Sequence, residues 1–450
     1  MYFFYSFLMV LYGAGLIVVL HIRAWRRRQP ASGIRERLGF LPASLRHNGT
    51  PTIWIHSCSV GETLSVQPLA HALRERFPEI RLVFSTTTDT GQALARERFA
   101  KFGAGNTFYF PIDRAAVVRR VLDWIRPAMI IIVDTEIWPN LTCHAFRRAI
   151  PVVLANGRIS EASFRRYRRI RPVLRRVFQN YRILMAASEE EAERFRQLGA
   201  PAGRIVTTGN IKHDRNLVEK DVAAAQSLAL REVFGLQPGT ENLMVAGSTH
   251  PGEEEALIEV LRRVRRIPGL EKTRLLLAPR HPERCASVAR TAASAGFRVR
   301  RRSQETRSGE DAEVLLLDTV GELTTAYGFA SIAFVGGTLI RHGGQNIMEP
   351  AAHAKPIVIG PSMENFAQIL AEFRAHNAVI QIRAGENDRE HQVQQITSVA
   401  VRLLQNPAER EVLGKAAFSV FESNLGATRR TVEKIAAILD ETSGPGQTRN

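Results

Sequence analysis

Glu62 closes the turn Ser57-Cys58-Ser59-Val60-Gly61-Glu62-Thr63, which follows the apolar run Thr52–His56 and leads into a segment with helical spacing. A glycine and small hydroxyl residues at the carboxyl end of a strand let the backbone turn close to a ligand. A carboxylate at that point can serve as a general base. It can equally be a first-turn helix acid stabilised by the dipole, and spacing alone leaves both readings of Glu62 open. The Gly-x-Ser-x-Gly pattern of a nucleophile elbow is absent here. Cys58 reads more readily as a buried structural thiol than as a nucleophile. A second acidic group, Asp134-Thr135-Glu136-Ile137-Trp138-Pro139-Asn140, follows another apolar run. Acids at such a strand end can bind sugar hydroxyls, accept a proton or hold a metal. No His-x-x-x-His or Asp-x-Asp spacing accompanies them, so a metal site has little support.

Further along, Lys212 lies in Gly209-Asn210-Ile211-Lys212-His213-Asp214, where the chain passes from one half to the other. It could bring positive charge to a reacting anion, although a lone lysine is usually just solvated. Arg280, in Ala278-Pro279-Arg280-His281-Pro282-Glu283-Arg284, ends another strand and suits a phosphate or carboxylate. Gly343-Gly344-Gln345-Asn346-Ile347-Met348-Glu349-Pro350-Ala351 then opens a helix, and its glycines should leave backbone N–H groups free for phosphate. Glu349, about one turn in, could accept hydrogen bonds from ribose. Neither a Walker A nor a Gly-x-Gly-x-x-Gly pattern is present, which demotes ATPase and dehydrogenase readings.

These groups need elements to hold them. Short apolar runs at Thr52–His56, Leu82–Thr86, Met129–Asp134 and Val152–Ala155 alternate with helical segments such as Ser65–Phe77 and Gly91–Phe102. A second set follows at Leu243–Ala246, Thr273–Ala278, Val314–Leu317, Ile332–Val335 and Pro356–Ile359. Strands apolar on both faces and separated by helices indicate parallel sheets. The expectation is therefore two α/β domains, joined near residues 210–240, with ligands in the cleft between them. Residues 402–440 should be helical and the tail from Glu441 flexible.

The 450 residues include 61 Lys and Arg against 44 Asp and Glu, a net charge of +17 that calls for an anionic partner. Three cysteines, Cys58, Cys143 and Cys285, are too few for a disulfide framework. A mean hydropathy of −0.12 excludes a polytopic membrane protein. Met1–Ile22 nevertheless carries no Asp, Glu, Lys or Arg, and Trp25, Arg23, Arg26, Arg27 and Arg28 follow. That pattern suits a single membrane-anchoring helix with the rest of the chain on the cytoplasmic side. A buried first helix is the plainer alternative. Between Phe164 and Phe178, seven arginines (165, 166, 168, 169, 171, 175 and 176) alternate with apolar residues, as in an amphipathic helix bent at Pro172. It is either a solvated face or a surface for anionic lipid. No zinc-finger, RNP or helix-turn-helix pattern supports nucleic acid.

His56–Thr63, Thr135–Leu141, Pro279–Arg284, Asp318-Thr319-Val320-Gly321-Glu322-Leu323, and Gly343–Asn346 with Glu349–Ala354 together resemble the bacterial Kdo transferases. Those enzymes move 3-deoxy-D-manno-octulosonic acid (Kdo) from its CMP derivative onto a lipid A precursor. The resemblance runs over nearly the whole chain with the motifs in order. It implies a GT-B fold of two Rossmann-like domains, an acceptor-binding one at residues 51–220 and a CMP-Kdo-binding one at 221–425. An anchor helix at 1–24 and a basic segment at 25–50 would precede them, and a terminal helix and tail at 426–450 would follow. By the family's pattern Glu62 is the base, and Glu136 and Lys212 stabilise the transition state. Pro279, Arg280, Val320, Gly321, Glu322, Asn346, Ile347, Met348 and Glu349 match its CMP-binding segments, and no metal cofactor is implied. Two departures stand out: Gln345 replaces an expected histidine, and Asp134 an expected glutamate. Other classes that fit in part are a related GT-B enzyme with a different nucleotide sugar and an anchored scaffold without turnover.

Overall fold

In the computed structural model, residues 2–27, 33–134, 136–212, 214, 220–236, 242–304, 312–383 and 389–443 are described, without the side chains of 2–4, 20, 23–27, 220–223 and 442–443. Arg28, Thr135, His213 and the side chains of Arg23, Trp25, Arg26 and Arg27 thus lie outside the described residues. The chain divides into two compact units, Met1–Arg215 with Leu425–Asn450, and Asn216–Asn424.

The first unit is built on β1 (Thr52–His56), β2 (Arg81–Thr86), β3 (Thr107–Tyr109), β4 (Met129–Val133), β5 (Val152–Gly157), β6 (Ile183–Ala186) and β7 (Ile205–Thr207). All seven pair in parallel, in the order β3-β2-β1-β4-β5-β6-β7. Every residue of β1 and β4 is buried, because side chains of alternate sign of direction both meet helices. Ile53, Ile55 and Ile131 pack with Val66 and Leu69 of the helix Val60–Arg76. Trp54, Ile130 and Ile132 face the other way, towards Val118 and Val121 of the helix Ala115–Ile125. The last helix, Ala427–Ser443, returns to this unit, and its Val432, Ile435 and Leu439 complete the first of those faces. Through these residues the last helix belongs to the first unit.

The second unit repeats the plan with β8 (Leu243–Thr249), β9 (Arg274–Pro279), β10 (Val299–Arg301), β11 (Val314–Leu316), β12 (Ile332–Val335), β13 (Ile357–Ile359) and β14 (Ile380–Gln381). Its order is β10-β11-β9-β8-β12-β13-β14, again parallel. In each sheet the chain first builds one side of a central strand and then the other. The reversal opens a crevice at the carboxyl ends of β1 and β4 in one unit and of β8 and β12 in the other, where parallel sheets bind ligands.

The N-terminal helix Tyr2–Arg27 has 26 residues. Gly13 is buried against Ile112, and Ser6 exchanges hydrogen bonds with Asn140 at 3.0 and 3.3 Å. Phe7, Leu8, Leu11, Tyr12, Val18 and Val19 are exposed on the remaining surface. Among the described residues, no helix is long and apolar enough to cross a membrane.

The arginine-rich stretch is two short helices, Glu161–Arg168 and Arg171–Phe178, rather than one bent helix. Pro172 sits in the first turn of the second helix, where its missing N–H costs nothing. Phe164, Leu174, Val177 and Phe178 are buried and all seven arginines are exposed, with Ile170 and Val173 exposed among them.

Candidate active site

Ser59 caps the helix Val60–Arg76, its hydroxyl accepting from the Glu62 N–H. The Glu62 carboxylate turns back over this first turn: Oε2 accepts from the Cys58 N–H at 2.5 Å and Oε1 from the Ser59 hydroxyl at 3.0 Å. Local sequence thus holds Glu62 in one orientation, much as a capping box would. Burial nonetheless raises its pKa above the usual carboxylate range, against the pull of the Cys58 N–H. Asp134 raises it further and Lys212 lowers it. Across the crevice, after β4, Glu136 is pushed up to about 7 by burial and by the charge of Glu62. Donor atoms of Cys58, Glu62 and Glu136 all lie within 4.8 Å of one another. Burial and the nearby Glu136 charge raise the Cys58 thiol to about 11, so it is no nucleophile at neutral pH. His56, buried and held at about 3 by desolvation, is neutral.

Lys212 reaches the same crevice from beyond β7. Its Nζ donates to Asp134 Oδ2 at 2.8 Å, and Asp134 Oδ1 accepts from the Asn156 amide at 2.5 Å. Asn156 Oδ1 in turn accepts from the Ile211 N–H at 3.1 Å. Asp134 and Asn156 both have left-handed backbone, at φ of 60° and 56°, a region that Asp and Asn tolerate better than other side chains. Three strand ends are tied together by this network. The sequence-level candidates Glu62, Glu136 and Lys212 do converge, and Asp134 holds the lysine.

In the second unit Pro279 ends β9, and Arg280 is exposed with no ion pair to its guanidinium among the described residues. Val320 is exposed and Gly321 has a φ of 92°. Glu322 is committed to Arg302, at 3.0–3.2 Å, and to the Thr319 hydroxyl. Ile347 and Met348 are buried, so only their backbone can face a ligand. Asn346 donates to Glu349 at 3.2 Å and accepts from the Met348 N–H at 3.1 Å.

The expectation for Gly343 and Gly344 needs correcting. Their N–H groups are not free for phosphate: Gly343 donates to Ser362 Oγ and Gly344 to the Gly337 carbonyl, both at 2.9 Å. The helix behind them, Met348–Ala351, is only four residues long. Glycine is required there because φ is 91° and 81°, and a Cβ would meet Asn365 and Met363 at 2.3 Å.

One cluster has no counterpart in the sequence reading. His250, after β8, is buried with its ring centroid 4.0 Å from that of His342 and 6.3 Å from that of His281. The Gln345 amide nitrogen lies 3.3 Å from its Nε2. Ser248-Thr249-His250-Pro251-Gly252-Glu253 is another strand-to-helix turn with a small residue and an acid, the same signal that singled out Glu62. Glu253, fully buried, takes four N–H groups, from His250, Gly337, Thr338 and Leu339, at 2.7–2.9 Å. It fastens the turn after β8 to the loop after β12. Glu253→Gln would replace two accepting oxygens with one and set an amide against backbone N–H groups. A loss on the order of 3 kcal/mol is expected for the second unit, read as a lower calorimetric midpoint with the first unit's transition unchanged.

Residues 32–215 match the family model described as 3-deoxy-D-manno-octulosonic-acid transferase (kdotransferase). The chain is 32% identical to the 3-deoxy-D-manno-octulosonic acid transferase of Haemophilus influenzae over 94% of its own length and 95% of that protein's. Identity to the enzyme of the same name from Bordetella pertussis is 31%, over 94% of this chain and 96% of that one. Among solved structures, UDP-GlcNAc 2-epimerase from Neisseria meningitidis aligns with a TM-score of 0.57 at 12% identity, over 86% of this chain and all of that one, a likeness of fold alone. With that identity sustained from end to end, and with the carboxylates and lysine of its motifs gathered at one sheet edge, the chain belongs to the 3-deoxy-D-manno-octulosonic acid transferases and is a Kdo glycosyltransferase.

Proposed function

We propose that this enzyme transfers Kdo from CMP-Kdo to a lipid A precursor in lipopolysaccharide core biosynthesis, with inversion at the anomeric carbon. The observation that carries the reading is the Glu62 carboxylate, oriented by Cys58 and Ser59 beside Glu136 at the crevice of the first sheet. Glu62 takes the proton of the acceptor hydroxyl as its oxygen attacks C2 of Kdo. The bond from C2 to the phosphate oxygen breaks on the opposite face, and CMP leaves with the electron pair. Lys212, steadied by Asp134, offsets negative charge in the transition state. In the second unit Arg280, with no ion pair among the described residues, takes the phosphate, with Pro279, the Val320–Glu322 turn and Asn346–Glu349 around the nucleotide. CMP departs with a single phosphate, so no divalent ion is needed for the leaving group. A cation bound by Cys58, Glu62 and Glu136 would instead occupy the base, and EDTA should leave turnover intact.

A panel of donors tests the substrate. CMP-Kdo generated in situ should be consumed with a lipid A precursor while UDP-sugars stay inert. Consumption of a UDP-sugar alone would favour the other GT-B reading.

The same proposal puts the enzyme on the cytoplasmic face of the inner membrane. In support, residues 2–22 carry no Asp, Glu, Lys or Arg, and much of that helix exposes apolar side chains. A single crossing by residues 1–24 is the finer form, and it requires the Ser6–Asn140 contact to open. The exposed arginines with Ile170 and Val173 would add contact to anionic lipid, each cation near the surface contributing about 1 kcal/mol. Arg165, Arg166, Arg168 and Arg169 all changed to Ser should weaken flotation with anionic vesicles by at least about tenfold, and leave neutral vesicles unaffected. Unchanged flotation would return those helices to a merely solvated face.

A further inference from the structure

The donor in this reading carries two negative charges, one on the phosphate that joins sugar to nucleotide and one on the sugar's own carboxylate. Several cations at the crevice of the second sheet are already paired. Arg284 is neutralised by Glu254, at 2.7 Å. Arg301 and Arg302 are paired with Asp318 and Glu322. Arg280, at the end of β9, has no ion pair among the described residues and can take the phosphate, and exposed Arg341 adds positive charge beside His342.

What else faces the crevice is imidazole. His250, His342 and Gln345 converge on Gly337: a Cβ there would lie 3.5, 3.2 and 3.4 Å from them. Gly337 has a φ of 66° and no side chain, which lets the Cδ2 carbons of both rings and Gln345 Cγ close over it. The Gln345 amide donates to His250 Nε2, which puts the ring proton on Nδ1 and leaves one imidazole N–H to donate elsewhere. His342 is exposed, and its ring has no hydrogen-bond or ion-pair partner among the described residues. Burial, then the proximity of His342, His281, Arg280 and Arg284, hold His250 down at about 4. The Arg280 guanidinium, one of the charges that keep a proton off this ring, favours an anion beside it.

We propose that His250 and His342 form the subsite for the donor's sugar carboxylate, separate from the Arg280 subsite for its phosphate. This rests on the CMP-linked sugar acid being the donor. The pair offers ring N–H donors, which can hold a carboxylate beside the Arg280 subsite. It also selects an acidic sugar over a neutral one, since a donor lacking the carboxylate would leave these groups unpaired. Gln345 has a stated part in it: its amide does what a second imidazole N–H could do, fixing the His250 tautomer.

The test compares two ligands that differ by the sugar acid. Product inhibition gives Ki for CMP, and initial rates with CMP-Kdo generated in situ give the donor KM. His342→Ala, at an exposed position, should raise donor KM by about 10- to 100-fold while Ki for CMP stays within about twofold. His250→Gln should do the same, with circular dichroism confirming its fold. Equal rises in both constants would make the pair a nucleotide or phosphate contact, and no change in either would remove it from the site. Both results overturn the proposal. A wild-type enzyme that CMP does not inhibit would fail differently, by refuting the donor itself.

Discussion

Glu62→Gln should bind CMP as the wild type does and lose about 10²- to 10⁴-fold in kcat, the usual worth of a general base. The substitution is nearly isosteric. Its amide oxygen can still accept from the Cys58 N–H or the Ser59 hydroxyl, so the turn keeps its shape. What disappears is a group able to take a proton. The first-turn position that made a purely structural role plausible gives the opposite expectation. A dipole-stabilising acid loses at most about 1 kcal/mol of stability on becoming Gln and has no reason to cost turnover. Single-turnover rates beside a thermal midpoint separate the two, and near-normal rates would remove Glu62 from the mechanism.

Glu136→Gln has the second largest expected effect, through the pH profile. The base must be ionised, and its neighbour, with its pKa raised to about 7, loses its own proton only near neutrality. With donor atoms within 4.8 Å, two like charges interact by on the order of 3 kcal/mol at an effective dielectric near 20. A second charge on the pair therefore makes Glu62 the stronger base. Wild-type kcat should rise through about pH 7 as Glu136 ionises. In Glu136→Gln that rise should vanish, the remaining acid limb should move to lower pH, and kcat above pH 7 should fall by roughly 10- to 100-fold. The sign for stability is opposite. A carboxyl whose folded pKa is raised costs stability once the pH exceeds its unfolded pKa. Glu136→Gln should thus unfold no earlier than wild type at pH 7.5. A profile unchanged in shape would mean the two carboxylates do not communicate.

The long buried strands were legible because each is a continuous apolar run. Thr52–His56 and Ile332–Val335 match β1 and β12 residue for residue. β3, β6, β7, β10 and β14 were not, for a physical reason. They have two to four residues with little to set them off from their flanks, and they exist because an adjacent strand offers a ladder in register. Glu62 and Glu136 could be found because each follows a readable strand with a chemically capable side chain, and Lys212 because it lies in a motif where the chain passes from one half to the other. Asp134 as the partner of Lys212 could not, since the pairing spans 78 positions. Gly343 and Gly344 mislead in the reverse sense. A glycine pair before a helix suggests free N–H groups, but Ser362 and Gly337 arrive from other segments to occupy them.

The account stands most directly on transfer itself. Wild-type enzyme and Glu62→Gln, each given CMP-Kdo generated in situ and a tetraacylated lipid A precursor in EDTA, should be compared by product mass. Wild type should add mass in steps of one Kdo unit, and Glu62→Gln should add none on the same time scale. A folded wild type that binds CMP and yields no such step, or a Glu62→Gln that yields it at the wild-type rate, would contradict the account.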